Sequence, residues 1–209
     1  MRINDFFDFS SNFVSSTVRA RSIGLKLGDD ANNIGDANRL VIGDYESIVF
    51  PVSFKQDQGK KFQDILDTAR AFLFLISDRM KTVLEENNLT GWKCYPIRLL
   101  DKQGNKIEGY QGLSVTGRCG PIYVLESAAI YKRVVSEGPI CKYYKGWHIG
   151  LDEWDGSDFF LPKRSYGMIV TAAAAKVIKS NKLTNVHLRN LAEIEVPEDA
   201  ANVIKAKPE

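Results

Sequence analysis

The sequence predicts an α+β fold: a single β-rich mixed domain with two similar strand–helix–strand units, around residues 72–99 and 168–196. The first observation is an internal echo. Residues 75–95 read LISDRMKTVLEENNLTGWKCY, and residues 169–189 read IVTAAAAKVIKSNKLTNVHLR. With Ser77 laid on Thr171, Val83 meets Val177, Leu84 meets Ile178, Asn87 meets Asn181, Leu89 meets Leu183 and Thr90 meets Thr184. Gly91 meets Asn185, and these are the two residue types that best tolerate left-handed backbone. The second observation is a series of short apolar, β-branched runs separated by turn signals, which suits a sheet-rich domain with a few helices. Third, no Gly/Ser linker and no low-complexity stretch divides the chain. Residues 1–209 therefore read as one domain, with pseudo-repeated halves at about 1–110 and 111–209. A period this long is no solenoid.

Each unit follows the same physical plan. A strand-length apolar run (72–76, or 168–170) ends at Ser77 or Thr171. Either hydroxyl suits the orphan N–H groups of a helix start. Asp78 then sits where a negative charge favours the helix dipole. Met80, Val83, Leu84 and Asn87, like Ala174, Val177, Ile178 and Asn181, recur at spacings of three and four and give one narrow apolar face. Leu-Thr-Gly or Leu-Thr-Asn closes the helix, and an extended segment follows.

In chain order, residues 12–27 suggest one or two strands around Val18, Ala20 and 23–25. Residues 29–38 read as a polar loop. Residues 40–42 and 48–54 are strand candidates, with Pro51 arguing for a sheet edge or bulge, and 55–61 reads as a turn. Phe62, Ile65, Leu66 and Ala69 have the spacing of a short amphipathic helix. After the first unit, 92–100 reads as a strand, 101–105 as a turn and 106–116 as the returning hairpin partner. Residues 122–135 are ambiguous: Leu125, Ala128 and Ala129 have helical spacing, whereas Val134 and Val135 prefer strands. After the second unit, 196–209 is a short tail with a helical turn near 198–206.

Composition narrows the function. A hydrophobic content of 44% supports a core without staples, and a net charge of +2 gives no broad basic field for nucleic acid. The central apolar run, 71–76, is far too short to span a membrane. The opening MRINDFFDFSS carries Asp5 and Asp8 and lacks the uninterrupted apolar stretch of a signal peptide, so a cytoplasmic location is expected. Cys94, Cys119 and Cys141 form no C-x-x-C and no zinc spacing. The phosphate-loop, dinucleotide, HExxH and G-x-S-x-G patterns are absent. No cofactor, metal or catalytic residue is expected. A Cys141–His148 nucleophile pair has nothing local to orient it.

The acidic cluster Asp152, Glu153, Asp155 and Asp158 surrounds Trp154 and Gly156. A calcium loop fails, because Trp154 and Gly156 interrupt the alternating oxygen ligands. Three readings stay open: an acid/base pair with mutually shifted carboxyls, a turn with a buried tryptophan anchor and satisfied aspartates, and an exposed acidic-aromatic binding patch. The candidate partner-binding residues are Trp147, Asp152, Glu153, Trp154, Asp155 and Asp158.

The same stretch resembles the C-terminal signature of immunity-protein family eleven of bacterial polymorphic toxin systems, W-x-G-x-D-[ILF]-F, then [IV]-V-[ST] into a helix, then L-x-G-[VI]. It falls here on Trp154, Gly156, Asp158, Phe160, Ile169, Val170, Thr171, Leu183, Thr184, Asn185 and Val186. LISDRMKTVLEENNLTGW resembles the mid-chain portion of these proteins. Asn185 replaces the usual turn glycine, and Ala172–Ala175 replace charged residues at the helix start. The resemblance implies an immunity protein that binds and neutralises a cognate toxin by occlusion, without catalysis. The alternatives are a carboxylate-dependent hydrolase at 152–158 and a small-ligand-binding module. The partner implied is a toxin protein, with neither nucleic acid nor membrane; the oligomeric state is not legible.

Overall fold

The computed structural model describes residues 2–26 and 35–205, without the side chains of 202–205. β1 (Phe6–Ser11) and β2 (Arg19–Ile23) precede α1 (Asp36–Ile42). β3 (Val52–Gln58), β4 (Ile65–Thr68) and β5 (Phe74–Ser77) lead into α2 (Asp78–Glu86). Next come β6 (Trp92–Tyr95), β7 (Ile97–Leu100), β8 (Lys106–Ile107), β9 (Tyr110–Val115) and β10 (Gly117–Cys119). β11 (Ile122–Tyr123), β12 (Ala128–Arg133), β13 (Ile140–Lys145), β14 (His148–Ile149), β15 (Phe159–Pro162) and β16 (Met168–Thr171) follow, then α3 (Ala172–Ser180). β17 (Val186–Asn190), β18 (Glu195–Pro197) and α4 (Glu198–Lys205) complete a β-rich α+β arrangement.

Two sheets dominate. The larger has the order β6-β9-β5-β4-β2-β3-β7-β8, and the second β10-β15-β16-β1-β17. The N-terminal strand β1 lies antiparallel between β16 and β17, pairing Phe7 with Val170 on one side and with Asn190 on the other. In the same way β9 lies between β5 and β6, with Gly112 opposite Leu75 and Tyr95. The main apolar core draws on both sheets and on the helices beside them: Ile65, Leu75 and Leu113 from the first sheet, Phe9, Phe159 and Val170 from the second, Met80 from α2 and Ile178 from α3. A smaller core gathers Phe6, Tyr144, Phe160, Ile169, Leu191 and Val196.

α2 and α3 start where their hydroxyls predict. Ser77 Oγ accepts from the Met80 N–H at 3.0 Å, and Thr171 Oγ1 from the Ala174 N–H at 3.2 Å. At the far ends Asn87 donates its side-chain amide to the Val83 carbonyl, and Asn181 donates to Val177, satisfying last-turn acceptors. The turns behind them use the left-handed backbone expected of Gly91 (φ 81°) and Asn185 (φ 61°).

Several local expectations fail for physical reasons. Residues 40–42 are the end of α1, closed by Gly43 at φ 77°, whose N–H reaches back to the Arg39 and Leu40 carbonyls. The predicted loop 29–38 lies outside the described residues up to 34 and is helix from Asp36. The helical spacing at 62–69 is misleading: residues 65–68 form β4, buried on both faces between β2 and β5. β3 runs on to Gln58 through the supposed turn. Residues 92–100 form two strands, parted at Pro96. β6 ends one edge of the large sheet, and β7 lies near the other. The ambiguous 122–135 is mostly extended, as β11 and β12.

Asp64 joins distant parts of this arrangement. It is 5% exposed. Its carboxylate accepts from Ser77 Oγ (2.7 Å), the Arg79 guanidinium (2.6 Å), and the Thr184 N–H and Oγ1 (2.7 and 2.8 Å). Asp64→Ala should cost about 3 kcal/mol, because the Ser77 hydroxyl, the Arg79 guanidinium and the part-buried Thr184 N–H and hydroxyl lose their acceptor together. Thr184→Val, which removes a single hydroxyl, should cost about 1 kcal/mol. Urea midpoints at constant m-value measure both, and equal losses would contradict the clamp.

Candidate partner-binding site

The segment carrying the six candidate residues leaves β13 at Gly146, whose N–H donates to the Ile194 carbonyl at 2.8 Å. Trp147 follows, its own N–H bonded to Leu191 O at 2.9 Å and its indole packed on the smaller core. The indole Nε1 is buried and has no hydrogen-bond partner among the described residues. β14 then pairs with β11, and Gly120 crosses Gly150 so closely that a Cβ on Gly120 would stand 2.8 Å from the Gly150 Cα. Only glycine fits there. The 3-10 turn Leu151–Glu153 projects Asp152 and Glu153 into solvent, with Glu153 at 3.8 Å from Lys163.

Trp154 turns inward. Its ring meets Phe6 edge-on at 5.5 Å and Phe160 at 5.7 Å, and its Nε1 donates to Ser157 O at 3.1 Å. Asp155 folds the turn: Oδ1 accepts from the Ser157 N–H (3.0 Å) and Oγ (2.5 Å), and Oδ2 from the Arg118 N–H (2.8 Å). Burial pushes the Asp155 carboxyl upward, but the bonds from Ser157 and Arg118 outweigh it and hold the group below its ordinary value. Asp158 is likewise engaged. Its Oδ1 accepts from Thr171 Oγ1 at 2.8 Å, and Oδ2 from the Thr90 N–H and Oγ1 at 3.0 and 3.1 Å.

The six residues therefore divide. Trp147 and Trp154 are anchors, Asp155 and Asp158 secure the turn, and Asp152 and Glu153 form the solvent-facing rim. The geometry is that of a tryptophan-anchored turn with satisfied aspartates. Beside it, burial pushes the Cys119 thiol up to about 12, with Asp155 and Glu153 adding to the effect, so it stays protonated. Among the described residues no group of three or more His, Cys, Asp or Glu is placed to hold a metal. Open clefts of about 500 and 360 Å³ flank α3 instead, lined by Phe7, Ala175 and Lys176 on one side and Leu183, Val186 and His187 on the other. No described helix is long and apolar enough to cross a membrane.

Sequence reasoning missed the β12–β13 hairpin, which exposes Tyr131, Val134, Val135 and Ile140. The available signal was an apolar pair, Val134-Val135, running straight into the polar turn Ser136-Glu137-Gly138.

Trp154→Ala should destabilise the fold by about 3 kcal/mol, whereas Asp152→Ala should change stability by less than about 0.5 kcal/mol; chemical denaturation separates anchor from rim. Ser157→Ala should raise the Asp155 pKa, read from carboxyl-carbon shifts during an NMR titration. The sign is set by linkage: a carboxyl held low in the fold adds stability above its unfolded value, and that stability is lost as pH falls through the folded value. The variant should accordingly lose part of this acid-side dependence.

Comparison with known proteins follows the signature. The family model for the immunity protein family Imm11 matches residues 25–193, from the segment before α1 through β17. No curated protein matches the chain. A match over that much of the sequence shows that the chain belongs to the Imm11 immunity protein family.

Proposed function

We propose that this protein neutralises a cognate bacterial toxin by binding it and covering its working surface, with no chemistry of its own, in the cytoplasm of the cell that makes both. The observation that carries the reading is the family match across 25–193. The site geometry supports a binding role: Asp155 and Asp158 are committed to hydrogen bonds within the fold, and Asp152 and Glu153 face solvent on a turn held by Trp147 and Trp154. A rigid turn presenting charge loses little entropy on docking. An interface of about 800 Å² per partner suffices for a stable complex. A net charge of +2 supports local complementarity with the toxin over imitation of nucleic acid.

The architecture belongs to the same proposal. We read residues 1–209 as one domain made of two like units that exchange their first strands. β4, β5, α2 and β6 start at residues 65, 74, 78 and 92; β15, β16, α3 and β17 start at 159, 168, 172 and 186, a constant ninety-four positions later. β1 completes the sheet of the second unit and β9 that of the first. Asp64 and Asp158 are equivalent on this offset, and each grips a hydroxyl at its own helix start and a threonine in the other unit.

The test uses the product of the gene immediately upstream as the candidate toxin. With Asp152→Lys and Glu153→Lys combined, binding measured by calorimetry should weaken at least tenfold while the unfolding midpoint holds. Unchanged affinity and unchanged protection of cells would remove the acidic rim from the interface.

A further inference from the structure

β12 is an outer strand, in a sheet ordered β12-β13-β18, so one backbone edge of Ala128–Arg133 has no strand beside it among the described residues. Its register with β13 runs unbroken from Ala128↔Lys145 to Arg133↔Ile140. Natural edges are usually blunted by shortness, proline, a bulge or a guarding lysine. β12 is six residues long, carries no proline and has no bulge. Lys132, the residue placed to guard it, is drawn into an ion pair with Glu195 and lies over the Tyr143 ring.

The side chains along this edge invite a partner. Ala128, Ala129, Tyr131 and Arg133 are all exposed, so a new strand meets little steric obstruction. At the closed end Val134, Val135 and Ile140 are 60–64% exposed and Tyr131 is 68% exposed, which gathers four large apolar side chains within ten residues. The hairpin is nonetheless firmly held. β13 pairs with β18, Tyr144 is buried in the smaller core, Lys142 is ion-paired to Glu198 at 2.8 Å, and Ser127 Oγ donates to the Gly146 carbonyl at 2.5 Å. An edge fixed in advance binds with little ordering cost.

Charge narrows the occupant. Residues 128–145 contain Lys132, Arg133, Lys142 and Lys145 against Glu137 alone. Lys132 and Lys142 are answered by Glu195 and Glu198, whereas Arg133 donates to the Gly138 carbonyl and no ion pair joins it or Lys145 to a carboxylate among the described residues. A second copy of this chain would bring two such basic hairpins edge to edge, which disfavours self-pairing. We propose that β12 docks an extended, acidic segment of the toxin as an added strand, with Tyr131, Val135 and Ile140 seating its apolar side chains. Main-chain bonds then give affinity and alternate side chains give specificity. This rests on the toxin-binding reading above.

The experiment follows amide exchange residue by residue in the full-length protein, alone and with the catalytically inactivated toxin domain encoded immediately upstream. Alternate amides of Ala128–Arg133, those facing away from β13, should slow at least tenfold in the complex. Tyr131→Glu combined with Val135→Glu, both largely exposed, should weaken the complex at least tenfold without moving the unfolding midpoint. A tight complex in which β12 exchanges as in the free protein overturns the strand-docking proposal and leaves the immunity reading standing. Slowing that depends on the concentration of this protein alone identifies self-pairing and also overturns it. No complex with the wild-type protein overturns both readings together.

Discussion

The fold depends on two carboxylates that do a backbone's work. Asp64 stands at the entrance to β4 and accepts from Ser77 and Arg79 at the start of α2 and from Thr184 in the turn after α3. Asp158 stands at the entrance to β15 and accepts from Thr171 at the start of α3 and from Thr90 in the turn after α2. The main chain repeats the cross-link beside each: Ile65 N–H donates to Thr184 O at 3.3 Å, and Phe159 N–H to Thr90 O at 3.0 Å. A helix start and a helix exit both leave polar groups unpaired. One acceptor with several lone pairs serves both ends and ties two distant turns to one point. Removing either carboxylate orphans several donors together, so the cost exceeds that of any single bond.

The two large sheets are joined by more than these two carboxylates. β1 is an inner strand of a sheet whose other strands come from beyond residue 116, and β9 is an inner strand of a sheet otherwise built from residues 19–107. The second sheet does not close its hydrogen-bond ladder until β1 arrives from the other end of the chain, whereas β9 follows β8 almost directly and closes the first. Phe9 on β1 then packs edge-on against Phe159 at 5.6 Å and meets Phe74 at 6.3 Å, so the inserted strand also joins the apolar faces of both sheets. Contacts of such sequence separation carry a large loop-closure entropy and form slowly.

What the sequence made legible was local. Ser77 and Thr171 declared their caps because a hydroxyl serves N–H groups two and three residues away, and Gly91 with Asn185 declared left-handed turns. β4 was not legible: a strand buried on both faces shows no alternation, and Phe62, Ile65, Leu66 and Ala69 happen to fall on a helical spacing. β1 gave no sign of its inner place because its partners lie more than 150 residues away. At the candidate site the acidic turn was legible as a unit. Which side chains face inward was not, since Trp147 and Trp154 look the same in sequence whether they anchor a turn or meet a partner.

That division bears on what the family signature can encode. Trp154 packs on Phe6 and Phe160, Gly156 takes φ 83°, Asp158 clamps two turns, Thr171 caps α3, and Asn185 holds a left-handed turn while donating to Ile65 O. These signature residues serve the fold, and changing them changes the scaffold. Asp152, Glu153, Tyr131, Val134 and Val135 are exposed, and their replacement should cost the scaffold little. On the toxin-binding reading, partner choice therefore resides in residues that the signature omits. A fixed fold can then carry different specificities by changing a rim and an edge, because the energy that holds the turn and the hairpin in place is supplied from beneath them.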